Sequence, residues 1–152
     1  SNVKSIDQIK STLLSLQNSV TNFKIVFPIH PRLKTIILEQ DLSLRDVIFI
    51  DPLSYHEFIF LLKNSIGVIT DSGGVSEETT YLGIPCITLR NTTERPETVD
   101  IGTNVLVGND LKKLESYIKD IVSNNFKHGD IPKKWDGMAS IRIAKTLSEL
   151  IK

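Results

Sequence analysis

Short runs that are apolar through their middle alternate along this chain with stretches of helical spacing. The runs are Lys24–Pro28, Val47–Ile50, Ile66–Thr70, Cys86–Leu89 and Val105–Val107. A strand with one face in water alternates polar and apolar residues, whereas a strand covered on both faces has no need to. Between the runs lie predicted helices over Ile6–Val20, opened by Ser5 or Asp7 and carrying Ile9, Leu13, Leu14 and Leu16, and over Arg32–Glu39, carrying Leu33, Ile36 and Ile37. Ser54-Tyr55-His56-Glu57 has the form of a capping box and opens a helix through Phe58, Leu61 and Leu62. A further helix follows Asp71-Ser72-Gly73-Gly74 and ends at Gly83-Ile84-Pro85, another opens near Asn109 or Asp110, and the last starts about Gly137 and carries Ala139, Ile143, Leu147 and Leu150. The polar stretch Ser123–Lys134 reads as a surface loop. Strand–helix alternation of this kind builds βαβ units. It predicts an α/β fold, a Rossmann-like doubly wound parallel sheet of five or six strands, as a single domain spanning residues 1–152.

Charge then narrows the partners. Lys+Arg and Asp+Glu number 18 each, so the chain carries no net charge, and a 40% hydrophobic, 24% charged composition is that of a globular domain. Nothing in that balance attracts nucleic acid or an anionic membrane surface. An anionic ligand must instead be held by a local device. The one cysteine, Cys86, lies in an apolar run, which excludes an internal disulfide and predicts a buried, inert thiol. No apolar stretch approaches 18 residues and no secretory leader is present, so a cytoplasmic location is expected.

In open parallel sheets ligands bind beyond the carboxyl ends of the strands. The segments there are His30-Pro31-Arg32, Asp51-Pro52-Leu53, Asp71-Ser72-Gly73-Gly74, Arg90-Asn91-Thr92-Thr93-Glu94-Arg95 and Gly108-Asn109-Asp110, which are more polar and glycine-rich than bare connections require. In Thr70–Glu78, Gly73 and Gly74 leave the first N–H groups of the following helix unobstructed, where the helix dipole adds positive partial charge. A phosphate or pyrophosphate fits there without a lysine, with Ser72 adding a hydroxyl donor. Glu78, one turn further on, can accept both hydroxyls of a ribose. A plain N-cap by Asp71 or Ser72 with glycines for a tight turn accounts for the same residues, and the local sequence does not choose between the two.

Other residues carry the same double reading. His30 and Arg32 suit a phosphate contact, or else a capping histidine and a solvated arginine, and His56 suits solvent. Phe58 can stack on a base or pack with Leu61 and Leu62. Arg95 either pairs with Glu94 or Glu97 or reaches an anionic substrate. Asp-Ser-Gly-Gly also surrounds the nucleophile of chymotrypsin-like proteases, but those are two-barrel β proteins and this chain alternates α and β. No His/Cys/Asp/Glu cluster has metal-ligand spacing, and no G-x-G-x-x-G or Walker motif is present.

Taken together, Phe27-Pro28-Ile29-His30-Pro31-Arg32, Asp51-Pro52-Leu53-Ser54-Tyr55, Thr70–Glu78, Gly83–Arg90, Thr93-Glu94-Arg95-Pro96-Glu97-Thr98, Gly102–Gly108 and Trp135–Ile143 resemble, in order, the carboxy-terminal half of non-hydrolysing UDP-N-acetylglucosamine 2-epimerases. Ser1-Asn2-Val3 is similar to the tail of the family's His-Arg-Pro-x-Asn-Val segment. The resemblance implies one half of a GT-B fold, with the amino-terminal domain absent and a UDP-sugar bound between the halves. It implies that Ser72, Gly73 and Gly74 hold the diphosphate, Glu78 the ribose, that Phe58 lies beside the uracil and that Arg95 faces the diphosphate or sugar. His30 would contact a second, regulatory UDP-sugar known in some members.

The family reaction inverts C2 by eliminating UDP and adding it back, without NAD or another cofactor, in the service of cell-surface polysaccharide synthesis. The family's proton-transferring carboxylates lie in the amino-terminal half, so no catalytic residue is expected here beyond Arg95 as a leaving-group stabiliser, and the chain is expected to be inactive alone and homodimeric when full-length. Asp71-Ser72-Gly73-Gly74 with Thr93-Glu94-Arg95-Pro96 favours the non-hydrolysing branch over hydrolysing relatives. The alternatives are a GT-B glycosyltransferase domain and a free-standing nucleotide-sugar-binding module.

Overall fold

The computed structural model describes residues 6–20, 22–29, 31, 33, 35, 44 and 46–151. In chain order the elements are α1 (Ile6–Ser19), β1 (Ile25–Pro28), β2 (Val47–Ile50), α2 (Tyr55–Lys63), β3 (Val68–Thr70), α3 (Gly73–Leu82), β4 (Cys86–Thr88), α4 (Pro96–Asp100), β5 (Asn104–Leu106), α5 (Leu111–Val122) and α6 (Ala139–Leu150). The predicted helix over 32–39 lies mostly outside the described residues, and Pro31, Leu33 and Thr35 are helical. The chain divides into two compact units, residues 1–66 with 109–126, and residues 67–108 with 127–152. The strands form parallel sheets, β1–β2 in the first unit and β3–β4–β5 in the second, so the α/β alternation is as expected.

The first unit is built by apolar burial. Leu13 and Leu16 of α1 and Leu114 and Ile118 of α5 are all buried, and Ser15 Oγ donates to Glu115 Oε1 at 2.9 Å across the two helices. Phe27 and Phe49 are register partners on the β1–β2 ladder, with ring centroids 5.9 Å apart. The backbone N–H and hydroxyl of Ser54 both donate to Glu57, at 2.9 and 2.6 Å, which opens α2 as its sequence predicts. These bonds hold the Glu57 carboxyl below its ordinary range. At α5, Asp110 caps by accepting from the Lys113 N–H at 3.0 Å.

In the second unit β4 is the central strand, paired Val68↔Cys86, Ile69↔Ile87 and Thr70↔Thr88 on one side and Cys86↔Asn104, Ile87↔Val105 and Thr88↔Leu106 on the other. Cys86 and Ile87 are fully buried. Removing Ile87 alone from water is worth about 1.5–3 kcal/mol. Burial also pushes the Cys86 thiol up, consistent with an inert side chain.

The face of α3 turned inward is not apolar. It consists of Ser76, Thr79 and Thr80, all buried. Ser76 Oγ donates to the Gly73 carbonyl at 2.7 Å and Thr79 Oγ1 to the Val75 carbonyl at 2.9 Å, so these hydroxyls satisfy themselves within the helix. Gly83 ends α3 at φ 70°, the left-handed conformation that glycine adopts without strain.

Three sequence expectations change. The proline-bearing stretch 92–98, expected as a loop, runs into the five-residue helix α4, with Pro96 at its first position, where the missing N–H costs nothing. Strand β5 begins at Asn104, one residue earlier than the apolar run. The stretch 123–134 is no simple surface loop. Phe126 and Pro132 are buried, Phe126 stacks edge-on against Tyr117 with centroids 5.8 Å apart, and the Lys127 ammonium donates to the carbonyls of Val99 and Asn104. Partial burial holds that ammonium below the usual lysine range. Helix α6 forms as expected but buries none of its residues, with Ile143 and Leu147 more than half exposed. No helix among the described residues is long and apolar enough to cross a membrane.

Candidate functional site

The site is built in the second unit, where β3 runs into α3 and the β4–α4 loop lies alongside. Ser72 takes the N-cap position of α3 in extended conformation, φ −91° and ψ 127°, and its hydroxyl makes no capping bond. Its backbone N–H is held by Thr70 Oγ1 at 3.0 Å. The plain N-cap explanation of Asp71-Ser72 therefore loses its side-chain bond. The first N–H groups of α3 are left with the dipole and an exposed, uncommitted hydroxyl beside them.

Gly73 and Gly74 then call for a reason. Neither occupies the left-handed region, and a Cβ at Gly73 would meet nothing nearer than Glu94 Oε2 at 3.7 Å, one at Gly74 nothing nearer than Ser72 Oγ at 4.0 Å. The chain's own packing would accept alanine at both positions. Bare backbone at a helix N-terminus is what a phosphate needs in order to approach the N–H groups. The Glu94 carboxylate beside Gly73, itself 3.8 Å from Arg90, is the kind of group such a terminus attracts.

Glu78 is half-buried in the second turn of the same helix. Its carboxyl is pushed up, first by burial and second by the charge of Glu77. Arg95 stands at the N-cap of α4. Its carboxylate partner is neither Glu94 nor Glu97, the two that the sequence suggested, but Glu77, which accepts from Nε at 2.7 Å. Nη1 of Arg95 donates to the Glu94 carbonyl at 3.3 Å. The bond to Glu77 also raises the guanidinium's affinity for its proton.

The Arg95 main chain is tied down separately. Its N–H is held by Thr93 Oγ1 at 3.0 Å, and its carbonyl accepts from the Thr98 hydroxyl at 2.8 Å. Ser72, Gly73, Gly74, Glu77, Glu78 and Arg95 thus come from α3, the turn before it and the loop before α4 of one unit. Phe58 lies half-buried in α2 of the first unit, and His30 lies outside the described residues. His56 is exposed as expected, its ring 5.9 Å from Tyr55. Among the described residues no group of three His, Cys, Asp or Glu side chains could hold a metal ion.

Two features of this site were missed in the sequence, the Glu77–Arg95 pair and the support beneath Arg95, where the buried Asn104 amide donates to the Thr98 hydroxyl at 3.1 Å. Only the second left a trace, a polar residue opening an otherwise apolar strand at Thr103-Asn104-Val105.

The family model described as UDP-N-acetylglucosamine 2-epimerase matches residues 1–148. The chain belongs to the UDP-N-acetylglucosamine 2-epimerase family. Over 95 residues it is 50% identical to the UDP-N-acetylglucosamine 2-epimerase of Methanocaldococcus jannaschii, a match covering 59% of this chain and 26% of that protein. It is 40% identical over 126 residues to the UDP-2,3-diacetamido-2,3-dideoxy-D-glucuronate 2-epimerase of Pseudomonas aeruginosa, covering 83% of this chain and 35% of the relative. The fold matches the crystal structure of the M. jannaschii epimerase in complex with UDP-GlcNAc and UDP, with a TM-score of 0.77 at 35% identity over 95% of this chain and 40% of that one. The architecture is therefore the Rossmann-like half of a GT-B fold. The chain spans between about a quarter and two fifths of the length of these relatives.

Proposed function

We propose that this chain is the nucleotide-binding half of a UDP-N-acetylglucosamine 2-epimerase, an isomerase that interconverts UDP-GlcNAc and UDP-ManNAc by eliminating and re-adding UDP. Residues 1–152 would form one Rossmann-like domain, carboxy-terminal to a second half that carries the proton-transferring carboxylates, in a homodimeric cytoplasmic enzyme. The observation that carries the reading is the open N-terminus of α3, uncapped by Ser72 and bearing two glycines that internal packing does not require.

In this reading the first N–H groups of α3 and the Ser72 hydroxyl bind the diphosphate, and Glu78 accepts from the ribose hydroxyls. Phe58 lies beside the uracil, and His30 contacts a second, regulatory UDP-sugar. A C2–H bond with no adjacent carbonyl is a weak acid, so expulsion of UDP from C1 must be assisted. Fixed donors aimed at the departing diphosphate supply that assistance where charge develops. Arg95 adds a cation that cannot lose its proton. The chain's own residues thus bind and stabilise the leaving group and leave proton transfer to the other half.

Calorimetric titration with UDP and uridine, on the parent chain and on Glu78→Ala, tests the ligand. Binding of UDP that weakens with uridine and with the variant is expected, and a site indifferent to the diphosphate would overturn the assignment. The activity is tested in the complete protein by following appearance of the C2 epimer from UDP-GlcNAc.

The P. aeruginosa relative, named for a diacetamido uronate sugar, favours one second reading. UDP would be bound as described, and the epimerised sugar would carry a further acetamido group and a carboxylate. Turnover of that sugar and not of UDP-GlcNAc would decide for it.

A further inference from the structure

We propose that Glu77 is a positioning residue for Arg95, holding the guanidinium in the plane from which it serves the departing diphosphate. The proposal rests on the functional reading above and goes beyond it in assigning a task to a carboxylate that touches no substrate in that reading.

The backbone of Arg95 is already constrained. Its N–H is held by Thr93, its carbonyl accepts from both the N–H and the hydroxyl of Thr98, at 3.1 and 2.8 Å, and Thr98 is held in turn by the buried Asn104 amide at 3.1 Å. That support ends at the main chain. A long side chain starting from a fixed backbone still samples many rotamers, and an arginine must lose that freedom before it can aim at anything.

Two bonds remove it here. Glu77 Oε1 accepts from Nε at 2.7 Å and the Glu94 carbonyl from Nη1 at 3.3 Å. The guanidinium is planar, so fixing two of its nitrogens fixes the third. Nη2 then has no partner among the described residues and retains its donors for an anion.

The choice of Glu77 follows from the helix. It lies on α3, the element whose N-terminus is the diphosphate site, so the tie couples the cation to the same rigid body that carries the N–H donors. Glu78, next along the helix, points away by about 100° of rotation and has no hydrogen-bond partner among the described residues, which leaves it available to a ribose. As a stability device the pair is poor. Arg95 and Glu77 side chains are 49% and 37% exposed, and ion pairs so open to water contribute little to folding. Its consequence is therefore orientation.

The test is a double-mutant cycle in the complete protein, measuring kcat and KM for UDP-GlcNAc epimerisation in Glu77→Ala, Glu77→Gln, Arg95→Ala and the double Ala variant, with thermal melting of each. Glu77→Ala is expected to lower the rate by up to roughly 100-fold, the scale of losses from misplaced groups, mainly in kcat and with little change in melting. Glu77→Gln, which keeps an acceptor for Nε, restores part of the loss. The double variant is no slower than Arg95→Ala, because both changes remove one function.

An unchanged rate in Glu77→Ala, losses that multiply in the double variant, or faster turnover on removing Glu77 would each sink the positioning role while Arg95 keeps its own. Full activity in Arg95→Ala, or no epimer from any form, would instead overturn the functional reading and the Glu77 role with it.

Discussion

The buried amide of Asn104 donates through Nδ2 to the Thr98 hydroxyl at 3.1 Å, and that hydroxyl donates in turn to the Arg95 carbonyl at 2.8 Å. On the other side Asn104 Oδ1 accepts from Thr88 Oγ1 at 2.7 Å. The three side chains form a directed chain of donors from the middle strand of the sheet to the loop that carries Arg95. All three are buried and satisfied, so the network is rigid, and removing one member leaves the others unpaired in a poorly solvated place.

Asn104→Leu keeps comparable bulk and removes both bonds. It is expected to cost about 2–4 kcal/mol, one to two buried hydroxyls left unsatisfied, and to appear as a lowered midpoint in urea unfolding. A midpoint within error of the parent would show that Thr88 and Thr98 find other partners.

Gly129→Ala is expected to destabilise by at least about 1–3 kcal/mol, the usual cost of overpacking. A Cβ there would fall against the backbone of Gly102 and, at 2.6 Å, the Thr103 nitrogen, and main chain cannot turn aside as a flexible side chain can. Thermal melting reads the effect. The neighbouring exposed position Asp130 serves as a control for the loop.

Gly73→Ala should do the reverse. The site has room for the methyl, and replacing a glycine that is not in the left-handed region by alanine stabilises by about 0.4–1 kcal/mol through the unfolded chain. The same methyl stands over the α3 N-terminus, so UDP affinity should fall while the melting temperature holds or rises. Weakened binding with weakened folding would mean that the glycine serves packing.

Glu78 gives a pH dependence whose sign is fixed by the direction of its shift. Its carboxyl is raised above the ordinary 4.5 in the folded chain, so the fold prefers the neutral form. The ionised form costs stability above that raised value, and the cost vanishes as pH falls below 4.5. Glu78→Gln should therefore be more stable than the parent at pH 7 and equal to it in acid, while binding UDP more weakly at pH 7 because an acceptor has been lost. Equal stability at all pH values would remove burial as the cause.

Asp136 runs the other way. Arg142 grips it with two nitrogens at 2.9 and 3.0 Å, and the bonds lower its carboxyl from 3.8 to about 2. The contribution is present above pH 3.8 and is lost as pH falls towards 2. Asp136→Asn should flatten the acid limb of stability over that window, followed by circular dichroism at controlled pH.

The main elements of the fold were legible because local rules set them. Ser54 and Glu57 meet three residues apart on one helical turn, Gly83 can take positive φ, and runs such as Cys86–Thr88 are buried on both faces. Where packing was the decisive force, the reading stopped short. The inward face of α3 is Ser76, Thr79 and Thr80, the first two with hydroxyls silenced by bonds to their own helix, and no apolar periodicity marks it. Lys127 looked like loop polarity and instead donates to two carbonyls.

By itself the sequence determined the α/β alternation, the glycine pair that opens α3 and the family, since each depends on residue order and short-range geometry. Only the tertiary structure decided that Ser72 leaves the α3 N-terminus uncapped, that Arg95 answers to Glu77 across 18 residues rather than to the glutamates beside it, and that Asn104 supports its loop from below. Those pairings join segments distant in sequence, and no periodicity in either segment records which partner the fold brings near.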